Sequence, residues 1–268
     1  RIAKPGADEI GAVGLAFNQM AEQVEAMVAE QRAFASNASH ELRTPLTTMR
    51  LRTEALLANQ LDAEIQQQYI AEIDQEVTHM SGLVDDLILL SRLDAHRLAV
   101  GTEQVDVVRV ARSVCQELNA AITAKALTVD LEMPSAELPS VQANLNHLRV
   151  ALRNLCENGV KYTTEQGHIH ISFARDGAMI RGTVVDDGQG IAPEDLPHVH
   201  KRFHRAAQSR QRQQGTGNDR PYDDHREGSG LGLALVQSIV ALYGGKLIVD
   251  SAGLGRGTTA TIWWPITQ

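Results

Sequence analysis

Phe34-Ala-Ser-Asn-Ala-Ser-His40-Glu41-Leu42-Arg43-Thr44-Pro45-Leu46 is the stretch on which the reading of this chain turns. Phe34, Ala38, Leu42, Leu46 and Met49 keep helical spacing, so the segment reads as an amphipathic helix. At roughly 100° per residue, His40 lies about 200° from Ala38, and Leu42 about as far again from His40. The imidazole therefore points away from the packed seam. Pro45 has no backbone N–H and leaves the Glu41 carbonyl without its usual helical donor, which predicts a bend or loosening just past His40.

Towards the N-terminus, Ile10, Phe17 and Val24 form one heptad row, and Val13, Met20, Met27 and Phe34 a second, three residues on. Such a 3-4 alternation is a coiled-coil or bundle seam. Ala38 and Leu42 break its phase, which makes this a place where a rotation can be passed along the helix. Towards the C-terminus, the pattern continues through Met49, Ala55 and Leu56 to about Ala58. Asn59-Gln60-Leu61-Asp62 reads as a short loop with Asp62 as N-cap, and Ile70, Ile73, Val77, Met80, Val84 and Leu87 carry a second helix to about Leu93. Two such helices joined by a short turn form an antiparallel hairpin. Alone, it would expose most of its apolar stripe. Two hairpins paired into a four-helix bundle would cover it, so an obligate homodimer is expected. Packing against another domain of the same chain is the weaker alternative, because the downstream region has its own core.

Asp94 to Gln104 is polar, with the linker proper at 96–104, and beyond it the pattern turns to mixed α and β. A short strand at Val105–Val107, a helix from about Val108 to Ala124, a strand at Leu127–Met133 and another at Val141 are expected. A helix capped near Asn144 runs to about Val160. His168–Ala174 and Met179–Val185 read as a hairpin around Asp176-Gly177. A helix at about Leu231–Leu242 and strands at Lys246–Asp250 and Thr258–Trp264 close the chain. This mixture predicts one sheet covered on one face by helices.

At 268 residues, the chain is long enough for two compact units. Its net charge of −8 argues against a general nucleic-acid binder, which would carry a basic patch. Two cysteines, Cys115 and Cys156, fall far apart in helical patterns and indicate neither a disulfide framework nor a metal cluster, so a reducing, cytosolic setting fits. There is no run of 18 apolar residues and no signal peptide pattern. Arg1-Ile-Ala-Lys-Pro-Gly reads as a start in mid-domain, and a membrane part is expected upstream.

Three further segments carry chemistry. In Asn154-Leu-Cys-Glu-Asn158-Gly-Val-Lys161-Tyr162, the residues Asn154, Asn158 and Lys161 share an arc of roughly 60° opposite the apolar group Leu145, Leu148, Leu152, Leu155 and Cys156. Amides and an ammonium on that arc suit a metal and phosphates, although by itself it equally fits an ordinary solvated face. Val185-Asp186-Asp187-Gly188-Gln189-Gly190-Ile191 ends a hydrophobic strand. Its glycines permit a tight turn, and a buried carboxylate there can accept from an exocyclic amine, selecting adenine over guanine. Gly228-Ser-Gly230-Leu231-Gly232 opens the last helix, where free N–H groups and the helix dipole favour phosphate. A lone glycine run of this kind is weak. Residues 208–227 have few apolar groups, as expected of a lid. His198, His200 and His204 fit a lid base better than a metal site, lacking ligand spacing.

Taken in order, these segments resemble the boxes of sensor histidine kinases. His40 to Leu46 resembles the H-box, the 154–163 helix the N-box, and Asp186 to Gly190 the G1 box. Arg202-Phe203-His204-Arg205 resembles the F-box, 228–232 the G2 box, and Gly255-Arg-Gly257-Thr258 the last glycine motif. Asp8-Glu9-Ile10-Gly11 and Phe17-Asn18-Gln19-Met20 resemble the end of a HAMP linker. The resemblance implies a multidomain chain. The end of a HAMP linker (1–30) precedes a helical-hairpin dimerisation and phosphotransfer domain (31–95), and an α/β sandwich ATP domain of the Bergerat or GHKL type (105–268) carries a lid at about 203–228. It implies autophosphorylation of His40 from Mg-ATP, with Glu41 beside it, and transfer to an aspartate of a response regulator. It places Asn154, Asn158, Lys161, Tyr162, Asp186, Gly188, Gly190, Ile191, Phe203, Arg205, Gly228, Gly230, Leu231, Gly232 and Thr258 around the nucleotide, with Mg²⁺ on Asn158 and Asn154. Asp187 stands where relatives often have Asn, which leaves a swap of roles with Asp186 open. The His-Glu-x-x-Thr spacing resembles members that also dephosphorylate their regulator, which points to Thr44. Two other readings fit the residues less well. A gyrase-type ATPase would need a Glu where Asn154 stands, and a non-catalytic scaffold fits poorly with intact glycine boxes.

Overall fold

The computed structural model describes residues 9–58, 61–94, 101–134, 136–205 and 228–266. Residues 1–8 of the expected HAMP end, Asn59 and Gln60 of the hairpin loop, 95–100 of the linker and 206–227 of the lid lie outside the described residues. The chain divides into two compact units, 1–82 and 83–268, and the boundary falls inside the second helix.

The first unit is built from α1 (Glu9–Leu57) and most of α2 (Ala63–Asp94). α1 passes through Pro45 and stays helical to Leu57, so the proline does not break it. Threonines around it turn their hydroxyls back onto the helix. Thr44 Oγ1 donates to the His40 carbonyl at 3.4 Å, Thr47 to Arg43 at 2.9 Å and Thr48 to Thr44 at 3.3 Å. These side-chain donors sit where the proline has thinned the backbone ladder. The six-residue apolar row expected on α2 splits in two. Ile73, Met80 and Leu87 are half-buried, while Ile70 and Val77 are 59% and 49% exposed, with Val84 exposed one heptad further on. Between the helices lies a charged cluster that periodicity did not indicate. Arg52 Nε meets Glu72 Oε2 at 2.5 Å, its guanidinium stacks 4.4 Å from the Tyr69 ring, and Gln68 donates to Glu72 at 2.8 Å. A carboxylate as buried as Glu72 is tolerable only with such a partner.

The second unit is an α/β layer. Its five-stranded sheet has the order β2 (Thr128–Leu131), β4 (His168–Asp176), β5 (Met179–Asp186), β7 (Thr258–Pro265), β6 (Lys246–Asp250), with β2 parallel to β4 and the other pairs antiparallel. Alternation along β4 buries Ile169, Ile171 and Phe173, and along β5 it buries Ile180 and Val184. Helix α5 (Leu145–Tyr162) packs against both α3 (Val107–Glu117) and α6 (Gly232–Leu242), bringing Leu148, Leu152, Leu155, Leu235 and Ile239 into the core. β1 (Glu103–Val105) and β3 (Val141–Ala143) form a separate two-stranded ribbon, so there is a second, small sheet beside the expected one.

Three boundaries differ from the sequence reading for local reasons. Asp106 Oδ1 accepts from the N–H groups of Val108 and Arg109 at 2.9 and 3.1 Å, so Val107 opens α3 instead of ending a strand. The expected 108–124 helix breaks at Leu118 into α3 and α4 (Asn119–Ala124), because the apolar stripe stops at Val114 and α4 buries nothing. Leu145, counted with the core face of α5, is 45% exposed at its first turn. Asn144 caps that helix as expected, accepting from Asn146 and His147.

Candidate active site

Two chemical features stand on the two units, and each is built differently. On α1, His40 is exposed and Glu41 half-buried, and Phe34, Ala38, Leu42 and Met49 are half-buried as the helical phase required, whereas Leu46 of the same expected row is 52% exposed. Thr44, one turn on, is exposed.

In the second unit, a cleft of about 780 Å³, counted with its open mouth, lies between α5, the end of β5 and the start of α6. Its apolar walls are Leu155, Gly159, Val184, Leu233, Val249 and Ala260, and its polar edge carries Asn158, Tyr162, Asp186, Gln189, His204, Arg205 and Thr258. Asp186 ends β5 on the cleft floor, and its Oδ1 accepts from the N–H groups of Gly188 and Thr258 at 3.0 and 3.1 Å. Burial pushes its carboxyl above the usual range and Asp187 adds to this, while the two N–H groups pull it back. Asp187 faces away, accepting from the His168 backbone at 2.8 Å. Of the two carboxylates, only Asp186 lines the cleft.

The turn after Asp186 needs its glycines. Gly190 has φ +66°, and a Cβ there would strike the Gly253 carbonyl. Gly257, at φ +70°, lies so close to Asp186 that a Cβ would overlap its carbonyl, and its N–H reaches Gly188 at 3.0 Å. Ser251 Oγ ties the turn together, accepting from the Ile191 N–H at 2.9 Å and donating to the Gly257 carbonyl at 2.7 Å.

The expected residues do not all reach the cleft. Asn158, Tyr162, Asp186, Gly190, Ile191, Arg205 and Thr258 line it. Asn154 instead donates to the Val150 carbonyl at 2.9 Å and packs under Gly232, the first residue of α6. Leu231 is fully buried behind that helix start. Gly188 lies against the Tyr162 carbonyl, and the Gly230 carbonyl accepts from the N–H of Phe203, which sits at φ +58°. Lys161 holds its ammonium 4.9 Å from the Tyr162 ring and near Gly228. Burial, with Arg205 and Lys125 adding their charge, lowers its pKa to about 8.

Several residues of the site were missed. Leu233, Val249 and Ala260 form much of the apolar wall, and their signal was the inward phase of α6, β6 and β7. Ser251 and Lys125 left no sequence signal. Lys125 Nζ donates to the carbonyls of Val160, Lys161 and Thr163 at 2.8, 2.7 and 3.2 Å, closing the C-terminal turn of α5.

The site fits a purine nucleotide and its phosphates. One Asp186 oxygen is held by backbone and its partner oxygen is left for an amine. The walls are apolar enough for a base, the amide of Asn158 and the Arg205 guanidinium stand on the polar side, and the Lys161 ammonium lies near Gly228 and the Tyr162 ring.

Comparison with known proteins bears on both features. Residues 30–96 match the His Kinase A (phospho-acceptor) domain, and residues 143–268 match the histidine kinase-, DNA gyrase B-, and HSP90-like ATPase family. The sensor histidine kinase CpxA of Escherichia coli strain K12 is 32% identical over 265 residues, covering 97% of this chain and 52% of the relative. The chain thus spans about half the length of the curated relatives it matches. Among solved structures, the Acinetobacter baumannii histidine kinase AdeS aligns with a TM-score of 0.63 at 23% identity, over 85% of this chain and 98% of that one. The histidine kinase ThkA, solved in complex with the response regulator protein TrrA, aligns with a TM-score of 0.68 at 18% identity, over 94% and 66%. At these identities the two structures show the shared fold.

Proposed function

The chain belongs to the two-component sensor histidine kinase family, and from that premise we propose that it moves the γ-phosphoryl group of Mg-ATP onto His40 and then onto an aspartate of a response regulator. The observation that carries the reading is Asp186. Its carboxylate is clamped by two backbone N–H groups at the end of an apolar cleft, in a chain that separately exposes a histidine on a helix. Asp186 would accept from the exocyclic amine of adenine, and Leu155, Val184 and Ala260 would sandwich the ring. Lys161 and Arg205 would meet the phosphates. Asn158 would hold Mg²⁺ by its side-chain carbonyl, with Asn154 joining it only if its amide leaves the Val150 carbonyl. Mg²⁺, when bound, spreads the charge that develops on the phosphates.

His40 attacks through a ring nitrogen that carries no proton, and Glu41 orients the imidazole and takes its other proton. No Glu stands at the Asn154 position to activate water, so the site favours transfer to an imidazole over hydrolysis. Two chains would pair through the α2 row of Ile70 and Val77 and the α1 row of Val13, Met20 and Met27, all of them exposed on one chain. A response regulator would be the phosphoryl acceptor, by analogy with the ThkA–TrrA pair. Thr44 would position the water that removes the phosphoryl group from the regulator. The 1–30 segment would relay a signal as the end of a HAMP linker. No helix among the described residues is long and apolar enough to cross a membrane.

The test is labelling by radioactive Mg-ATP. Wild type should carry an acid-labile, base-stable phosphoramidate and His40→Gln none. Acid-labile label persisting on His40→Gln would move the phosphoacceptor elsewhere.

A further inference from the structure

One hydroxyl behind the cleft floor joins two chain reversals. Ser251 follows β6, is half-buried, and stands outside the residues that line the cleft. Its Oγ accepts from the Ile191 N–H at 2.9 Å and donates to the Gly257 carbonyl at 2.7 Å. The Gly253 carbonyl is also in reach at 3.3 Å, but a hydroxyl has a single proton to give, and the shorter contact takes it. Two backbone bonds hold the 251–257 turn against the 188–191 turn as well. The Gly255 N–H donates to the Gln189 carbonyl at 2.7 Å, and the Gly257 N–H to the Gly188 carbonyl at 3.0 Å.

The two bonds of Ser251 fall on peptide groups whose opposite ends meet the cleft. Both peptides are trans, so the C=O and N–H of each point opposite ways. The Gly257 carbonyl that takes the Ser251 proton shares its plane with the Thr258 N–H, which donates to Asp186 Oδ1 at 3.1 Å. The Ile191 N–H held by Ser251 shares its plane with the Gly190 carbonyl, and Gly190 and Ile191 both line the cleft. A bond at one end of a peptide fixes the tilt of the whole plane. It also polarises the group and strengthens the bond made at the other end. The clamp on Asp186 is thus set from behind, by a side chain that does not line the cleft.

We propose that Ser251 is a positioning residue for base recognition: it orients the Gly257–Thr258 peptide that holds Asp186, and so aims the second Asp186 oxygen at an exocyclic amine. The inference rests on Asp186 being the group that meets adenine. Without the hydroxyl, the Gly257 carbonyl and the Ile191 N–H lose this partner, and the Gly257–Thr258 plane is free to tilt. The Thr258 N–H then slips from Asp186 Oδ1, leaving the Gly188 N–H to hold it from one side. A carboxylate held at one point turns about its own bond, and its second oxygen leaves the line to the base.

The experiment uses the 268-residue chain and two nucleotides with Mg²⁺: ATP, and purine riboside triphosphate, which is ATP without its exocyclic amine. Affinities are measured by calorimetry, and thermal melting followed by circular dichroism checks the fold. Wild type should bind ATP at least about tenfold more tightly, the effect of one hydrogen bond to a charged group. Ser251→Ala should weaken ATP binding about tenfold and leave purine riboside triphosphate within about twofold of wild type. Added to Asp186→Asn, Ser251→Ala should cost ATP binding less than about twofold more, because the two residues act as one unit. Should Ser251→Ala fail to fold, Ser251→Cys fills the same place with a weakly hydrogen-bonding thiol and should show the same selective loss. Equal weakening of both nucleotides would make Ser251 a structural residue of its turn and overturn the proposal. An ATP preference kept by the variant, or a full further loss on top of Asp186→Asn, would overturn the route through Asp186. Wild type that binds both nucleotides equally would overturn the adenine reading of Asp186, and the role of Ser251 with it.

Discussion

The helical hairpin and the α/β unit use apolar residues in opposite ways. In the hairpin, Ile70, Val77, Met20 and Met27 keep strict periodic spacing and yet stand exposed on the single chain. In the α/β unit, Leu148, Leu152, Leu235, Ile239 and Trp264 are all but fully enclosed. The contrast teaches where to look for partners and where to look for chemistry. A periodic stripe that its own chain leaves uncovered is the surface of an assembly. In a unit whose core closes on itself, the polar groups left at the cleft are the ones that ask for a ligand.

The strongest way to break this comparison is to charge the stripe. Ile70→Glu combined with Val77→Glu would set four carboxylates along the centre of a paired bundle, where an unpaired charge costs several kcal/mol. We expect the protein to sediment as a monomer at micromolar concentration, with nucleotide affinity within about twofold of wild type. A dimer that persists unchanged would mean that the exposed row is not the assembly surface.

The complementary change acts on the cleft alone. Asp186→Asn replaces an acceptor with a group that can present its N–H₂ to the adenine amine. Loss of a hydrogen bond to a charged group costs on the order of 1.5–3 kcal/mol, or roughly ten- to a hundredfold in affinity. Calorimetry should show that loss while sedimentation shows an intact dimer. Unchanged affinity would remove Asp186 from the proposed recognition of the base.

How much of each region could be read in advance follows the same divide. The hairpin's helices and the outward phase of His40 were legible, because both depend only on helical periodicity. The Arg52–Glu72 pair was not, since two charged residues twenty positions apart carry no pattern that marks them as neighbours. In the α/β unit, the Asn144 cap and the β4–β5 hairpin were legible from local chemistry. The Asp106 cap was equally local and was overlooked in favour of β-branched neighbours. Val249, Ala260 and Lys125 reach the site from segments distant in sequence, and only the β5–β7–β6 register and the position of the α5 C-terminus bring them there. Asn154 illustrates the reverse case. Its arc on α5 was read correctly, but its amide bonds to its own helix.

A finer test asks whether the hairpin's exposed face does more than accept a phosphoryl group. Thr44 donates to the His40 carbonyl at the long distance of 3.4 Å, an interaction weak enough to give up for a water. Thr44→Ala should leave His40 labelling near wild type and slow decay of the phospho-regulator in the presence of ADP about tenfold, or about 1.4 kcal/mol of barrier. Parallel loss of both activities would instead indicate a damaged helix, and no change in either would leave Thr44 a backbone-bonding residue only.

The smallest effect is expected where the last turns of α2 join the second unit. There Leu83, Leu90 and Leu93 are buried and Asp86 is caught among them, facing Glu157 and Arg153 of α5 and flanked by Asp85. Burial first, and then Glu157, raises its pKa to about 6, and Arg153 offsets only part of this. A carboxyl whose folded pKa lies above its unfolded value binds protons more readily in the fold, so stability should fall as pH rises from about 4 to about 6. Above that window the carboxylate is ionised in both states, and the whole cost of burying it persists at pH 7. Asp86→Asn removes the charge and keeps the shape. Because the side chain is partly exposed, solvent screens some of the cost, and the expected gain at pH 7 is about 1 kcal/mol. In denaturant unfolding, the variant's advantage should be present at pH 7 and vanish below pH ~4, where wild-type Asp86 is protonated as well. An advantage that survives at low pH would point to packing and not to charge, and a loss of stability at pH 7 would show that the Arg153 contact outweighs the burial of Asp86.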